Sequence, residues 1–490
     1  MKDALVRQLP ATGKESESGL SSKIISKLLP NMLRLLRSRQ SRSQLYLALP
    51  LMLQAVLTSL MGFVDNLMVG QLGEQVLSAI GNGFQLLAFG SLLLAALSMG
   101  AGSLMAQHFG ADQKEQLGRT LSTLALTALI GGTILAGAFI IGGEWLAALI
   151  TLELFNPPAP DIAVAPLAGT YLGIIGWAIP LWVMQHVLAA AFQATGDTKT
   201  PVKVFLIFNI LNVIGNWVLI FGGAIPQLTE PFLQPLGYQG AAISTAICFA
   251  GGGLTMIFLS LRKHQPWAGQ LTRPTVNILK ELLAIGLPMS VDGFIWQAAQ
   301  LFYVVVMNAI GAQAFAAFII IKTFKGLALL PANGIQQATA IFTGQLLGAG
   351  SMTRARMSAR TGLLLGVVVM LLPATLLALG SGYVLNLYQI APETHHLAQI
   401  CLWIASASLT AFAINSVVAG VLRSGGDTGS MMYITLGCFL LIGAPASYVL
   451  GIVFDGGLIG AFVGLTLEEV AKAMVMLRRM RKEIWLKKLI

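Results

Sequence analysis

Met61-Gly62-Phe63-Val64-Asp65-Asn66-Leu67-Met68-Val69-Gly70 closes the first long apolar run of the chain, residues 45–69. About 20 mostly apolar residues are what an α-helix needs to cross the hydrocarbon layer of a bilayer, so the stretch predicts a spanning helix. It also carries a carboxylate near one end. A charge in such a place is costly unless a cavity, a counter-charge or hydrogen-bond donors meet it. Asp65 is therefore the first functional candidate.

Working outward, the same apolar pattern recurs over 84–106, 120–142, 164–190, 202–223, 240–262, 281–307, 314–345, 361–384, 396–422, 430–453 and 457–477. Twelve spans make an all-α integral membrane protein. Composition agrees: of 490 residues 56% are hydrophobic and only 10% charged, where a soluble domain carries about 25%. The three cysteines, Cys248, Cys401 and Cys438, lie in separate apolar runs, too scattered for a disulfide framework or a zinc site. The formal charge of +10 does not point to nucleic acid, because the Lys and Arg sit at the ends of apolar runs and not in a patch with interleaved aromatics.

Those basic residues report orientation instead. Segments 107–119, 191–201, 263–280, 346–360 and the tail from Arg478 are basic, whereas 143–163, 224–239, 308–313, 385–395 and 454–456 hold no Lys or Arg, only acids such as Glu144, Glu153, Asp161, Glu230, Glu393 and Asp455. Positive-inside bias then predicts that both termini are cytoplasmic, in a multi-pass protein of the plasma (inner) membrane. Residues 1–43 are basic and lack the continuous apolar core of a signal peptide. Over Ser21–Arg42 the spacing of Ile24, Ile25, Leu28, Leu29, Met32, Leu33 and Leu36 among Lys and Arg predicts an amphipathic helix lying on the anionic inner leaflet.

The chain is also internally duplicated. At an offset of 238 residues Leu49-Pro50 falls on Leu287-Pro288, Gly73 on Gly311, Gln107 on Gln345 and Gly110 on Gly348; at 230, Gly196-Asp197-Thr198 falls on Gly426-Asp427-Thr428. Two copies of six helices, entering the membrane from one side, give a pseudo-two-fold axis along the membrane normal, the plan of transporters that rock one lobe against the other. The expected organisation is a basic cytoplasmic segment 1–43, a six-helix lobe 44–262, a linker 263–280, a second lobe 281–477 and a basic tail 478–490.

With these residues in view, a resemblance can be stated. Leu49-Pro50 with Phe63 to Gly73, Gln107-His108-Phe109-Gly110-Ala111, Phe192 to Pro201 and Gly240-Ala241-Ala242 resemble the multidrug and toxic compound extrusion (MATE) family over roughly residues 44–480. The resemblance implies a V-shaped pair of six-helix bundles that exports organic, often cationic, compounds in exchange for protons or sodium ions. It implies no cofactor beyond that coupling ion. Within it the first-helix Asp binds a cation or a proton and maps onto Asp65, and two polar residues of the fifth helix map onto Asn212 and Asn216. Some members carry Asp at the position of Asn216, so Asp65 is the one carboxylate of the site here. The same trio follows from spacing: Asn212 and Asn216 lie one turn apart on one face, and Asn216 stands about 21 Å along its helix from Pro201, in the outer half with Asp65.

Lobe two offers a second candidate charged site: Asp292 in the middle of helix seven and Lys322 and Lys325 inside helix eight. Counting rise from the turn at Gly311 brings the Lys325 ammonium within reach of Asp292, which predicts an ion pair. Glu468 and Glu469, with Lys472 four residues after Glu468, read as a locally paired, snorkelling group. No nucleophile–base constellation, phosphate loop or metal cluster stands out, so an enzyme is not expected; sodium at Asp65 is the one ion site foreseen. The partners expected are the bilayer and small organic substrates, with no nucleic acid, and the chain is read as a monomer. The rival reading is a flippase of lipids or lipid-linked oligosaccharides, which needs a cavity open to the bilayer and lined by Arg or Lys for phosphate, with Lys322 and Lys325 the intramembrane cations deep enough to serve.

Overall fold

The computed structural model describes residues 38–153, 155, 163–224, 230–386, 388 and 391–490. Most of the amphipathic helix expected over 21–42, and the loop acid Asp161, lie outside the described residues. The helices are α1 (Arg39–Gly70), α2 (Glu74–Gly110), α3 (Lys114–Ile150), α4 (Ala165–Gly176 continuing as Ile179–Ala194), α5 (Lys199–Phe221), α6 (Tyr238–Ser260), α7 (Val276–Ile310), α8 (Ala312–Gly348), α9 (Met352–Leu379), α10 (Pro392–Ser424), α11 (Thr428–Val453) and α12 (Gly457–Arg481). Among the described residues nine helices are long and apolar enough to cross a membrane, and the two pieces of α4, bent by 59° at a short break before Pro180, make a tenth. The two remaining helices, α7 and α12, complete the twelve. This is a multi-pass membrane protein.

α1 overruns its apolar run because its capping group lies beyond the hydrophobic part. Ser38 accepts from the Ser41 N–H at 3.1 Å and starts α1. In both repeats the tight turn after the first helix is a glycine with positive φ, +113° at Gly73 and +147° at Gly311, a region closed to most side chains. The connector between the halves is pinned in place: Trp267 is fully buried against Phe192 and donates to the Ser260 carbonyl at 3.0 Å. α7 begins at Val276, inside the stretch expected as linker.

Helices α1 to α6 pack as one bundle and α7 to α12 as another, and they meet where α1 runs along α8 and α2 crosses α7 and α8. The crossing of α2 and α8 obeys the repeat. A Cβ at Gly110 would lie 1.9 Å from the Gln345 carbonyl oxygen, and one at Gly348 would lie 1.9 Å from that of Gln107. The side chains reciprocate: Gln107 Nε2 donates to Ser424 O at 2.7 Å, and Gln345 Nε2 to Ala194 O at 2.8 Å. Each bond joins one bundle to the other. The C-terminal tail closes over this end, with Trp485 buried and the Leu489 N–H donating to Gln107 Oε1 at 2.8 Å.

Glycine at these two crossings is a steric requirement. Gly110→Ala or Gly348→Ala is expected to cost roughly 1–3 kcal/mol, read as a lower unfolding midpoint of the purified protein. Gly137, with nothing within 4 Å of its would-be Cβ, serves as control, since Ala there gains up to about 1 kcal/mol of helix propensity. Equal behaviour of Gly110→Ala and Gly137→Ala would refute the close crossing.

Candidate coupling site

Asp65 is half-buried on α1, and the structure brings it to the two asparagines of α5. Asn216 Nδ2 donates to Asp65 Oδ1 at 2.7 Å and to Asn212 Oδ1 at 3.3 Å. Asn212 in turn donates to Ser244 Oγ at 3.3 Å and Thr245 Oγ1 at 3.4 Å on α6, while the Ser244 hydroxyl donates to the Asn212 carbonyl at 3.1 Å. The buried ring of Tyr171 from α4 lies beside Thr245 and within the field of Asp65. Sequence reasoning found the first three residues and missed Ser244, Thr245 and Tyr171. The available signal was two adjacent hydroxyls in the apolar run of α6.

One acceptor of the network is left unpaired. Asn216 is 1% exposed, yet its Oδ1 has no hydrogen-bond partner. A carboxylate and an unsatisfied amide oxygen side by side are oxygen donors of the kind hard cations select. Asp65 also lines a cavity of about 540 Å³ with Phe84, Trp182, His186, Phe205 and Phe249, and among the described lining residues it is the one carboxylate. The Trp182 ring stacks on Phe249 at 5.3 Å. Such a chamber presents flat apolar faces and a single negative charge, which suits a planar organic cation.

The second candidate group is assembled differently from expectation. No ion pair joins Asp292 to Lys325 among the described residues. Asp292 faces Thr435 on α11 and Lys472 on α12, and Lys325 faces Glu468 and Glu469. Both side chains interact with residues of α12 in place of each other. Lys322 is exposed, and neither lysine is among the described residues that line the cavity of Asp65.

Glu468 and Glu469 do not snorkel. Glu468 is 5% and Lys472 8% exposed, with Lys472 Nζ 3.9 Å from Glu468 and 3.8 Å from Glu469. Glu468 accepts from the Tyr303 hydroxyl, and Glu469 accepts from Asn415 Nδ2 at 2.7 Å. Room for the Glu468 carboxylate is made where α11 widens into a π-turn over Phe439–Gly443: a Cβ at Gly443 would meet Glu468 Oε2 at 2.4 Å.

Comparisons with known proteins fit this geometry. The MatE family model matches residues 50–218 and again 288–449, two matches that begin at Pro50 and Pro288 and so repeat the offset read from the sequence. The chain belongs to the MatE family. Members of this family are membrane transporters, not enzymes. Relatives include the probable multidrug resistance protein NorM of Thermotoga maritima, 24% identical over 88% of this chain and 90% of its own length. The probable multidrug resistance protein YoeA of Bacillus subtilis is 25% identical over 86% of this chain and 89% of its own. A crystal structure of MATE in complex with MaD3S shares the fold, with a TM-score of 0.82 at 19% identity over 92% of this chain and 98% of that one.

The lobe-two network makes a stability prediction. Lys472→Met removes the cation nearest two buried carboxylates, leaving only Lys325, among the described residues, to face them, and should cost about 3–5 kcal/mol, measured by thermal or denaturant unfolding. Lys472→Met combined with Glu469→Gln should regain part of that loss. A double variant no more stable than the single one would show that the charges are not coupled.

Proposed function

We propose that the chain is a secondary active multidrug exporter, expelling organic, often cationic, compounds in exchange for protons or sodium ions. The observation that carries this reading is the single carboxylate of the aromatic chamber, Asp65, held by Asn216 and facing the space a substrate would fill. One carboxylate cannot be neutralised twice. A proton or sodium ion at Asp65 and an organic cation in the chamber therefore bind at one another's expense, and two ligands so coupled drive each other across the membrane when the site faces alternate sides. Asn212 and Asn216 orient the carboxylate, and Asn216 Oδ1 supplies a further oxygen to a sodium ion.

Lobes 44–262 and 281–477, joined through 263–280, are the bodies that move. The resistance functions named for the two relatives support efflux as the direction, from a bacterial-type inner membrane with both termini cytoplasmic and the chain acting as a monomer. Asp292, Lys325, Glu468, Glu469 and Lys472 hold lobe two together as it moves.

Transport into proteoliposomes, with proton and sodium gradients imposed separately, tests the reading. Wild type should drive an organic cation with one gradient or both. Asp65→Asn should lose gradient-driven transport and bind the organic cation roughly 10–150-fold more weakly, the worth of a charged hydrogen bond. Undiminished gradient-driven transport by Asp65→Asn would refute the mechanism.

A further inference from the structure

Arg423, in the last turn of α10, is 3% exposed, and its buried Nε has no hydrogen-bond partner. Among the described residues no carboxylate pairs with it. A buried charge without a counter-ion costs several kcal/mol, and arginine remains charged in any environment a protein offers. Two neighbouring arginines of this end are paired: Arg479 forms a two-pronged pair with Asp427, and Arg356 one with Glu483. Arg423 faces a void.

That void is a cavity of about 270 Å³ between the bundles, lined also by Gln54, Ser103, His186, Gln193 and Gln337, with no Asp or Glu. Its polar groups are mixed: Gln54 contributes an amide oxygen without a hydrogen-bond partner, and Gln193 contributes donors. Gln193 Oε1 is occupied by Gln337 Nε2 at 2.6 Å, which leaves the Gln193 amide hydrogens to give. The cavity shares Ala95, Ser98, His186 and Phe205 with the chamber of Asp65, so the two are compartments of one lumen, negative at one end and positive at the other.

We propose that Arg423, assisted by Gln193, is an anion-binding site that takes a carboxylate-sized anionic group. The guanidinium fork matches a carboxylate with two parallel hydrogen bonds. The group comes either from the transported compound, as the acid end of a zwitterion whose ammonium reaches toward Asp65, or from a free anion such as chloride. The first source rests on the transport reading above; binding itself does not.

The test uses the full chain in detergent. Potassium benzoate and potassium chloride are titrated at a fixed sodium concentration while the unfolding midpoint is followed in wild type, Arg423→Gln and Arg423→Lys. Arg423→Gln places at 423 the residue its repeat partner, Gln193, already provides at the equivalent site. Wild type should show a saturable rise, following ligand linkage, that is absent in Arg423→Gln and partly kept in Arg423→Lys. A response to benzoate alone assigns the site to a carboxylate, and a response to chloride assigns it to free anions. No saturable response in wild type, or the same response in Arg423→Gln, overturns the proposal. A second arm compares an arylamine with the same amine bearing a carboxylate in proteoliposomes. Arg423→Gln should lower transport of the carboxylated compound about tenfold or more and that of the amine less than about twofold. If wild type moves neither compound yet still binds benzoate or chloride, the transport reading fails and the anion site stands.

Discussion

A single hydrogen bond, from Asn216 Nδ2 to Asp65 Oδ1, ties the first helix to the fifth, and the logic of the molecule depends on it. A carboxylate among spanning helices needs donors, because no bulk water reaches it. Asn216 supplies one, and the rest of the carboxylate faces the chamber. Had a lysine or arginine been placed beside it, Asp65 would be a closed structural ion pair like those around Lys472. Left with one neutral donor, it is held in position and still open to a cation. The relay behind it, from Asn212 to Ser244 and Thr245, fixes the α5 amides so that their orientation does not depend on what occupies the chamber.

The duplication separates framework from chemistry. Residues that keep their identity in both copies make the framework: Gly110 and Gly348 crossing on the backbone of Gln345 and Gln107, and the turn glycines Gly73 and Gly311. Positions where the copies diverge carry the charge. Asp65 has Tyr303 as its repeat mate, and that tyrosine serves the Glu468 carboxylate of lobe two. Asp292 has Gln54, and Arg423 has Gln193; both glutamines line the cavity that Arg423 faces. Two half-molecules alike in their crossings and unlike in their charges can rock symmetrically while presenting different chemistry at the two ends of one lumen.

Much of this was legible in the sequence, for identifiable reasons. Spanning helices announce themselves because lipid demands long apolar runs, and the repeat is visible because glycine at a backbone crossing admits no substitute. Asp65, Asn212 and Asn216 stood out since polar groups at matched depth on neighbouring helices have few other uses. Ser244, Thr245 and Tyr171 did not, because hydroxyls bond to their own helix as readily as to a neighbour. The expected pair of Asp292 with Lys325 failed on a different count: rise along a helix fixes depth but not which neighbour a side chain faces, and here both face residues of α12. Glu468 and Glu469 were matched to Lys472 by spacing, yet their burial depends on the π-turn of α11 at Gly443, for which the sequence offers no signal beyond the glycine. Arg423 follows the apolar run 396–422 with nothing in the sequence to single it out; the cavity in front of it and its unpaired Nε do so.

The central claim is that a coupling cation and an organic cation compete for Asp65. Calorimetric titration of the purified protein with an organic cation, at a series of proton and sodium concentrations, measures that competition without membranes or gradients. The account predicts that the apparent Kd rises in proportion to the coupling ion and that Asp65→Asn abolishes the dependence. An affinity indifferent to both ions in wild type, or a dependence that persists in Asp65→Asn, would contradict it.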